Sequence, residues 1–197
     1  MLARLSLAPL ALLAAACASV DHHTGSAAAA GPASTQEGAP VDASAPEATP
    51  EHRALMKMVG TWDATLSFPG QDQKSHATAV YRPVGEFWVA SDFNGEMMGG
   101  PFIGHGIDGY DPAKKTFVSV WVDSWITEVL SFEGTHDAAT RTTTMTGMGH
   151  DPQTGAPMQY KNVSTMTSDD AMTFVMGVVG PDGSASEMLR IEYTRRK

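Results

Sequence analysis

From residue 60 onward, apolar and polar residues alternate with period two, and clusters of turn-forming residues interrupt the alternation at short intervals. The clearest unit is Gly99–Trp125. Ile103, His105, Ile107 and Gly109 share one side of its first run. Phe117, Ser119, Trp121 and Asp123 share one side of its second, with Val118, Val120 and Val122 on the other. Between the runs, Asp111-Pro112-Ala113-Lys114-Lys115 is a turn: Pro112 restricts φ, the Asp111 carboxylate can cap, and two lysines keep the tip in water. Runs of this kind predict strands near Thr61–Phe68, Ser75–Arg82, Glu86–Phe93, Phe102–Gly109, Thr116–Asp123, Trp125–Glu133, Arg141–Met148, Pro157–Thr167, Met172–Val179 and Ala185–Arg195. The breaks include Asn94-Gly95, Pro152-Gln153-Thr154-Gly155 and Gly180-Pro181-Asp182-Gly183. A short helix precedes them. Thr49 can cap it, Pro50 suits its first position and Glu51 its positive end; Leu55, Met58 and Val59 share a face, and Gly60 stops it. No later segment is long enough for a helical crossover, so consecutive strands pair antiparallel. Closing about ten of them up-and-down into one β-barrel removes the exposed edges. The prediction is all-β: a single antiparallel barrel with a short N-terminal helix. The run Thr142-Thr143-Thr144 favours strand but makes poor core, which predicts a solvent-facing edge there.

Residues 1–50 follow different rules. Arg4 and the apolar run Leu5–Ala16 have the proportions of a secretory signal peptide, and the run is too short for a stable bilayer span, which needs about 20 residues. Leu13-Ala14-Ala15-Ala16-Cys17 resembles the bacterial lipobox, with Ala14 where leucine is common. The resemblance implies that residues 1–16 are removed and that Cys17 is lipidated. Cys17 is the single cysteine of the chain, so no intramolecular disulfide forms. With Ala18 and Ser19 next, the pattern implies an outer-membrane lipoprotein facing the periplasm of a bacterial cell envelope. The rest of 17–50 is mostly Ala, Gly, Ser, Thr and Pro, with four acidic residues and no lysine, arginine or aromatic residue, which predicts a disordered tether. The adjacent His22-His23 pair on such a segment has no metal-site geometry.

Residues 51–197 are then one domain with one core. All four tryptophans lie there. The chain carries a net charge of −9; Arg4 and the acidic Asp21, Glu37, Asp42 and Glu47 lie before the domain, which leaves it at −6. An acidic domain without a basic stripe excludes nucleic acid as its partner. The membrane partner would be reached through the lipid anchor, not through charge.

Several segments together resemble a known family: Leu55…Val59-Gly60-Thr61-Trp62, Gly95-Glu96-Met97-Met98-Gly99-Gly100-Pro101-Phe102, Gly106-Ile107-Asp108-Gly109-Tyr110-Asp111, Trp121-Val122-Asp123-Ser124, Gly180-Pro181-Asp182-Gly183 and Tyr193-Thr194-Arg195. They are similar to the bacterial family called domain of unknown function 1579, over roughly Glu51–Lys197. The resemblance implies a lipocalin-like (calycin-type) barrel and no particular activity. Gly60-Thr61-Trp62 is similar to the lipocalin Gly-x-Trp signature. This implies a structural closure in which Trp62, beside Gly60, packs under an arginine from the chain end, Arg190 or Arg195.

A barrel of this size has room for side chains or one small ligand. The candidate ligand-binding residues are His105, Trp121, Asp123, Trp125, Met97 and Met98. His105, between Ile103 and Ile107, is expected to be at least half-buried. It is either a core histidine satisfied by a carbonyl or carboxylate, or a polar anchor, or a haem ligand as in nitrobindin-like barrels. Asp123 shares its face with Phe117 and Trp121, so it reaches solvent at the strand end, faces a wet cavity or pairs with an arginine or histidine. Met97 and Met98, among glycines, predict a mobile apolar loop at a barrel mouth; thioethers can bind copper(I), but cavity lining is their default. The same default covers Met145, Met148, Met158, Met166, Met172, Met176 and Met188. His76, His136 and His150 have no metal-ligand spacing, and neither a metal site nor a cofactor is expected. No catalytic motif is present, so no catalytic residue is assigned.

The expected function is non-catalytic binding of a small, largely apolar molecule in the barrel. One alternative is a cofactor-free hydrolase or isomerase using His105 with Asp108, Asp123 or Glu128. Another is a structural or assembly protein with a filled barrel, whose apolar stripe along Val118–Asp123 is covered by a partner or, as a homodimer, by a second copy.

Overall fold

A computed structural model of the chain describes residues 46–151 and 153–197. The expected signal segment, Cys17, His22-His23 and the tether before residue 46 lie outside the described residues. Helix α1 (Pro50–Met56) comes first. Ten strands follow: β1 (Gly60–Ser67), β2 (Ser75–Val84), β3 (Trp88–Met97), β4 (Gly100–Asp111), β5 (Thr116–Asp123), β6 (Leu130–Asp137), β7 (Thr142–His150), β8 (Pro157–Met166), β9 (Ala171–Val179) and β10 (Ala185–Arg195). Each pairs antiparallel with its sequence neighbours, and β1 pairs with β10, so the barrel is closed.

Closure corrects one expectation. β7 is paired on both sides, and Thr142–Thr144 is no edge. The threonines pair across strands instead. The Thr142 and Thr165 hydroxyls meet at 3.0 Å, and the Thr143 hydroxyl meets His136 Nδ1 at 2.9 Å.

Two boundaries also move. Asn94-Gly95 is not a turn: β3 runs on to Met97, and the chain reverses at Met98-Gly99, with φ of 49° and 79°. Two left-handed residues in succession make a tight hairpin whose twist matches the strands, so this segment is a compact turn and not a long loop. Gly95 serves packing, because a Cβ there would overlap Ala77 and the His76 carbonyl. Residues 124–129 are a loop and not the start of a strand. Asp123 Oδ1 accepts the amides of Trp125 (2.8 Å) and Ile126 (3.1 Å), which turns the chain out of β5.

The core is the inner face of the barrel. Trp62, Ala64 and Leu66 of β1, Val89 and Phe93 of β3, and Ile191 and Tyr193 of β10 are all buried. At one end α1 sits against β3 and β4. Seven residues do not make a stable helix alone. This one is fastened through His52, which is buried. The Thr49 amide donates to His52 Nδ1 (3.0 Å), and His52 Nε2 donates to the Tyr110 carbonyl (3.2 Å). That network assigns the proton to Nε2. The ring also meets Phe87 and Tyr110 edge-on, at 5.2 and 5.6 Å between centroids.

Candidate functional site

The strands enclose a cavity of about 380 Å³. Its wall is mostly apolar and aromatic, and includes Leu66, Phe93, Phe102, Trp121, Leu130, Phe132, Phe174, Met176 and Ile191. Residues of the end opposite α1, among them Phe68, Met98, Trp125, Ile126, Glu128, His150 and Met188, form its mouth. A separate cleft of about 30 Å³ beneath α1, between Leu55, Met58, Phe117, His136 and Met172, has room for roughly one water.

Trp121 shapes the wall. In β4 the inward positions beside it are glycines: Gly106 faces Trp121 across the ladder, and Gly104 faces Asp123. A Cβ on Gly104 would overlap the Trp121 ring, and one on Gly106 would come within 3.2 Å of it and 2.6 Å of Ser91 Oγ. The two missing side chains let the indole lie flat along β4. Its Nε1 donates to Asp123 Oδ2 at 2.9 Å. With Oδ1 already bound to two amides, Asp123 is a bracket that fixes Trp121 and the loop carrying Trp125. Trp125 Nε1 in turn donates to the Pro101 carbonyl at 3.2 Å.

The polar groups lie in two places. In the half nearer α1, Asp108, Ser119, Tyr81 and Tyr193 face inward together. Burial pushes the Asp108 carboxyl up to about 6, against a smaller downward pull from the Ser119 hydroxyl opposite it on β5. The surface that Asp108 keeps is part of the cavity wall. Burial likewise raises the phenols of Tyr81 and Tyr193, which lie near one another on the cavity wall. At the mouth, Glu128 accepts the His150 amide (2.9 Å) and faces its Nδ1 (2.8 Å), and these bonds hold the Glu128 carboxyl below its ordinary range. Between the two, Asn162 lines the cavity, and its buried Oδ1 has no hydrogen-bond partner.

The far end is latched. Arg195 stacks on Trp62, with its guanidinium carbon 4.0 Å from the ring centroid, and donates to the carbonyls of Val59 (2.6 Å), Lys57 (2.7 Å) and Asp169 (3.0 Å). Trp62 is fully buried, and its Nε1 donates to the Met58 carbonyl at 2.9 Å. Gly60, at φ 140°, leaves room for Arg195, whose guanidinium a Cβ would overlap. Arg190, the other candidate, pairs with Glu187 at 2.5 Å instead.

Of the residues singled out for ligand binding, Trp121, Asp123, Trp125, Met97 and Met98 line the cavity. His105 does not. Its side chain is 57 % exposed on the outer wall, with Nδ1 2.7 Å from Asp92, whose carboxylate also pairs with Arg82. Ile103 and Ile107, which suggested a buried face, are each 49 % exposed beside it. The inner face of β4 carries Gly104 and Gly106 because Trp121 of β5 fills that space, so the hydrophobic pattern of this strand is inverted. His105 therefore faces away from the cavity that Asp108, Asp123 and Glu128 line, and the catalytic sets built on it are not assembled. Met148 also departs from expectation, at 58 % exposed on the outer wall. The residues that reading by sequence missed are Tyr81, Ser119, Asn162 and Tyr193. Their one available signal was alternation: Ser119 shares the Phe117–Asp123 face, and Tyr193 sits two residues from Arg195.

Among known proteins, the chain matches the family described as "Protein of unknown function (DUF1579)" over residues 47–195. No curated protein matches it. Of solved structures, Rv2717c from M. tuberculosis is 12 % identical with a TM-score of 0.57, over 77 % of this chain and 100 % of that one. Two designed barrels match more loosely. A redesigned barrel, mFAP0, bound to DFHBI is 17 % identical (TM-score 0.39, 71 % of this chain and 99 % of that one). A fluorescence-activating barrel designed de novo is 14 % identical (TM-score 0.43, 73 % and 97 %). At these identities the likeness is one of fold.

Proposed function

This chain belongs to the DUF1579 family, and from its own geometry we propose that it binds one small, largely apolar molecule inside the barrel, without catalysis. The observation that carries the reading is the cavity itself, about 380 Å³ with an aromatic and aliphatic wall and a few convergent polar groups. A filled barrel acting through its outer surface has no such void. Closure at the α1 end by Trp62 and Arg195 leaves the opposite mouth as the entrance. The same proposal places the chain in a bacterial envelope, held to the outer membrane through lipidated Cys17 with residues 18–50 as spacer. The signal-like run and the lipobox-like Leu13–Cys17 support that part.

Titration of the full chain with the neutral apolar dye N-phenyl-naphthylamine tests the binding reading. The dye brightens saturably at one site per chain, and Met176→Trp, which fills the cavity from β9, abolishes the response. Unsaturable brightening, or full binding by Met176→Trp, overturns it. For the anchor, Cys17→Ser moves the chain from the membrane to the soluble fraction; an unchanged distribution refutes it.

A further inference from the structure

The charge inside the cavity is one-sided. Among the described residues that line it there is no lysine and no arginine, while Asp108, Asp123 and Glu128 are present. Two of those acids are committed. Asp123 uses both oxygens on Trp121, Trp125 and Ile126, and Glu128 uses both on His150. Asp108 faces Ser119 across the β4–β5 ladder and meets no cation from any packed element: β2 presents Tyr81, β10 presents Tyr193 and β5 presents Ser119. Arginines of the neighbouring strands point elsewhere, Arg82 to Asp92 and Arg190 to Glu187.

Resting on the apolar-ligand reading above, we infer that the cavity selects a lipophilic amine, whose protonated nitrogen sits at Asp108 and whose apolar body runs toward Trp121 and the mouth. An ammonium supplies the charge that Asp108 lacks. Its N–H groups have further acceptors in the hydroxyls of Ser119, Tyr81 and Tyr193, and the aromatic wall attracts a cation through its ring faces. A fatty acid, by contrast, would set a second carboxylate beside Asp108 with no basic group to meet it, and one of the two would have to stay protonated. A neutral alcohol lies between: it can hydrogen-bond but gains no ion pair.

Three probes of one chain length separate these cases: decylamine, decanol and decanoate, titrated calorimetrically into the full chain at pH 7.5. Decylamine binds at least tenfold tighter than decanol, and decanoate binds weakest. In Asp108→Asn the advantage of the amine over the alcohol falls to within about twofold, and a cooperative thermal melt shows that the variant is folded. Burial of Asp108 adds a further readout. Below about pH 6 a proton competes with the amine for the carboxylate, so decylamine affinity falls roughly tenfold per pH unit while decanol affinity stays level. Decanol or decanoate binding as tightly as decylamine overturns the amine assignment and leaves the apolar-ligand reading standing. Failure of all three to bind overturns both.

Discussion

Replacing Arg195 with alanine tests the latch, and its cost can be worked from the contacts. The guanidinium donates to three main-chain carbonyls, those of Val59, Lys57 and Asp169, at 2.6–3.0 Å. Its side chain is 22 % exposed, so water replaces the lost donors only in part. A charged hydrogen bond contributes about 1.5–3 kcal/mol where it is buried; with partial rehydration, about 1 kcal/mol for each of the three is the sounder figure. The stack on Trp62 adds about 0.5–1 kcal/mol. The sum is about 3.5–4 kcal/mol. For a domain of this size each kcal/mol moves Tm by roughly 2–4 °C, so the variant melts roughly 7–16 °C lower. Calorimetry of the full chain measures this. Arg195→Lys keeps a cation on the indole but has no planar fork for several carbonyls, so it recovers a minor part of the loss. A drop below about 3 °C for Arg195→Ala, or full recovery by lysine, refutes the latch as drawn.

Three further outcomes follow from the same geometry. Gly104→Ala puts a methyl where the Trp121 ring lies, so the indole tilts into the cavity, its bond to Asp123 breaks, and the chain loses about 1–3 kcal/mol together with most of its dye binding; wild-type dye affinity would contradict this. Gly95→Ala costs a similar 1–3 kcal/mol through overlap with Ala77 but leaves the β3–β4 turn in place, as denaturation by urea and a crystal structure of the variant would report. Asp108 gives the ligand-free barrel a pH dependence. Its folded carboxyl lies above the ordinary aspartate value, so the native state holds the proton longer than the unfolded chain. The associated stability is present at low pH and is lost as pH rises through about 6, up to roughly 2–3 kcal/mol. Urea midpoints for the wild type therefore fall, relative to Asp108→Asn, between pH 4.5 and 7.5; parallel curves would show that Asp108 is not buried as described.

Turn chemistry and period two made most of the barrel legible. The Asp111–Lys115 turn holds because Asp111 Oδ1 accepts the amides of Ala113 and Lys114, and the Phe117, Ser119, Trp121 and Asp123 face points inward as the alternation says. Alternation fails where a neighbouring strand supplies the bulk. In β4 the apolar isoleucines are outside and the glycines inside, a fact set by Trp121 and invisible in the pattern of β4 itself. Asn94-Gly95 has the spelling of a turn, yet Gly95 is needed for close approach to Ala77. The Asp108 cluster joins β2, β4, β5 and β10, and such a grouping exists only once the barrel has closed. The pairing of Trp62 with Arg195 was legible as a possibility through the Gly-x-Trp resemblance; the choice between Arg190 and Arg195 came from the position of each on β10.

Native mass spectrometry of the full chain, purified gently from a bacterial host, reads directly whether the barrel carries a ligand. The expected spectrum holds a population heavier than the apo chain by one small molecule, which is released on denaturation and absent from Met176→Trp. A clean apo mass, with no uptake after incubation with an envelope lipid extract, would contradict it.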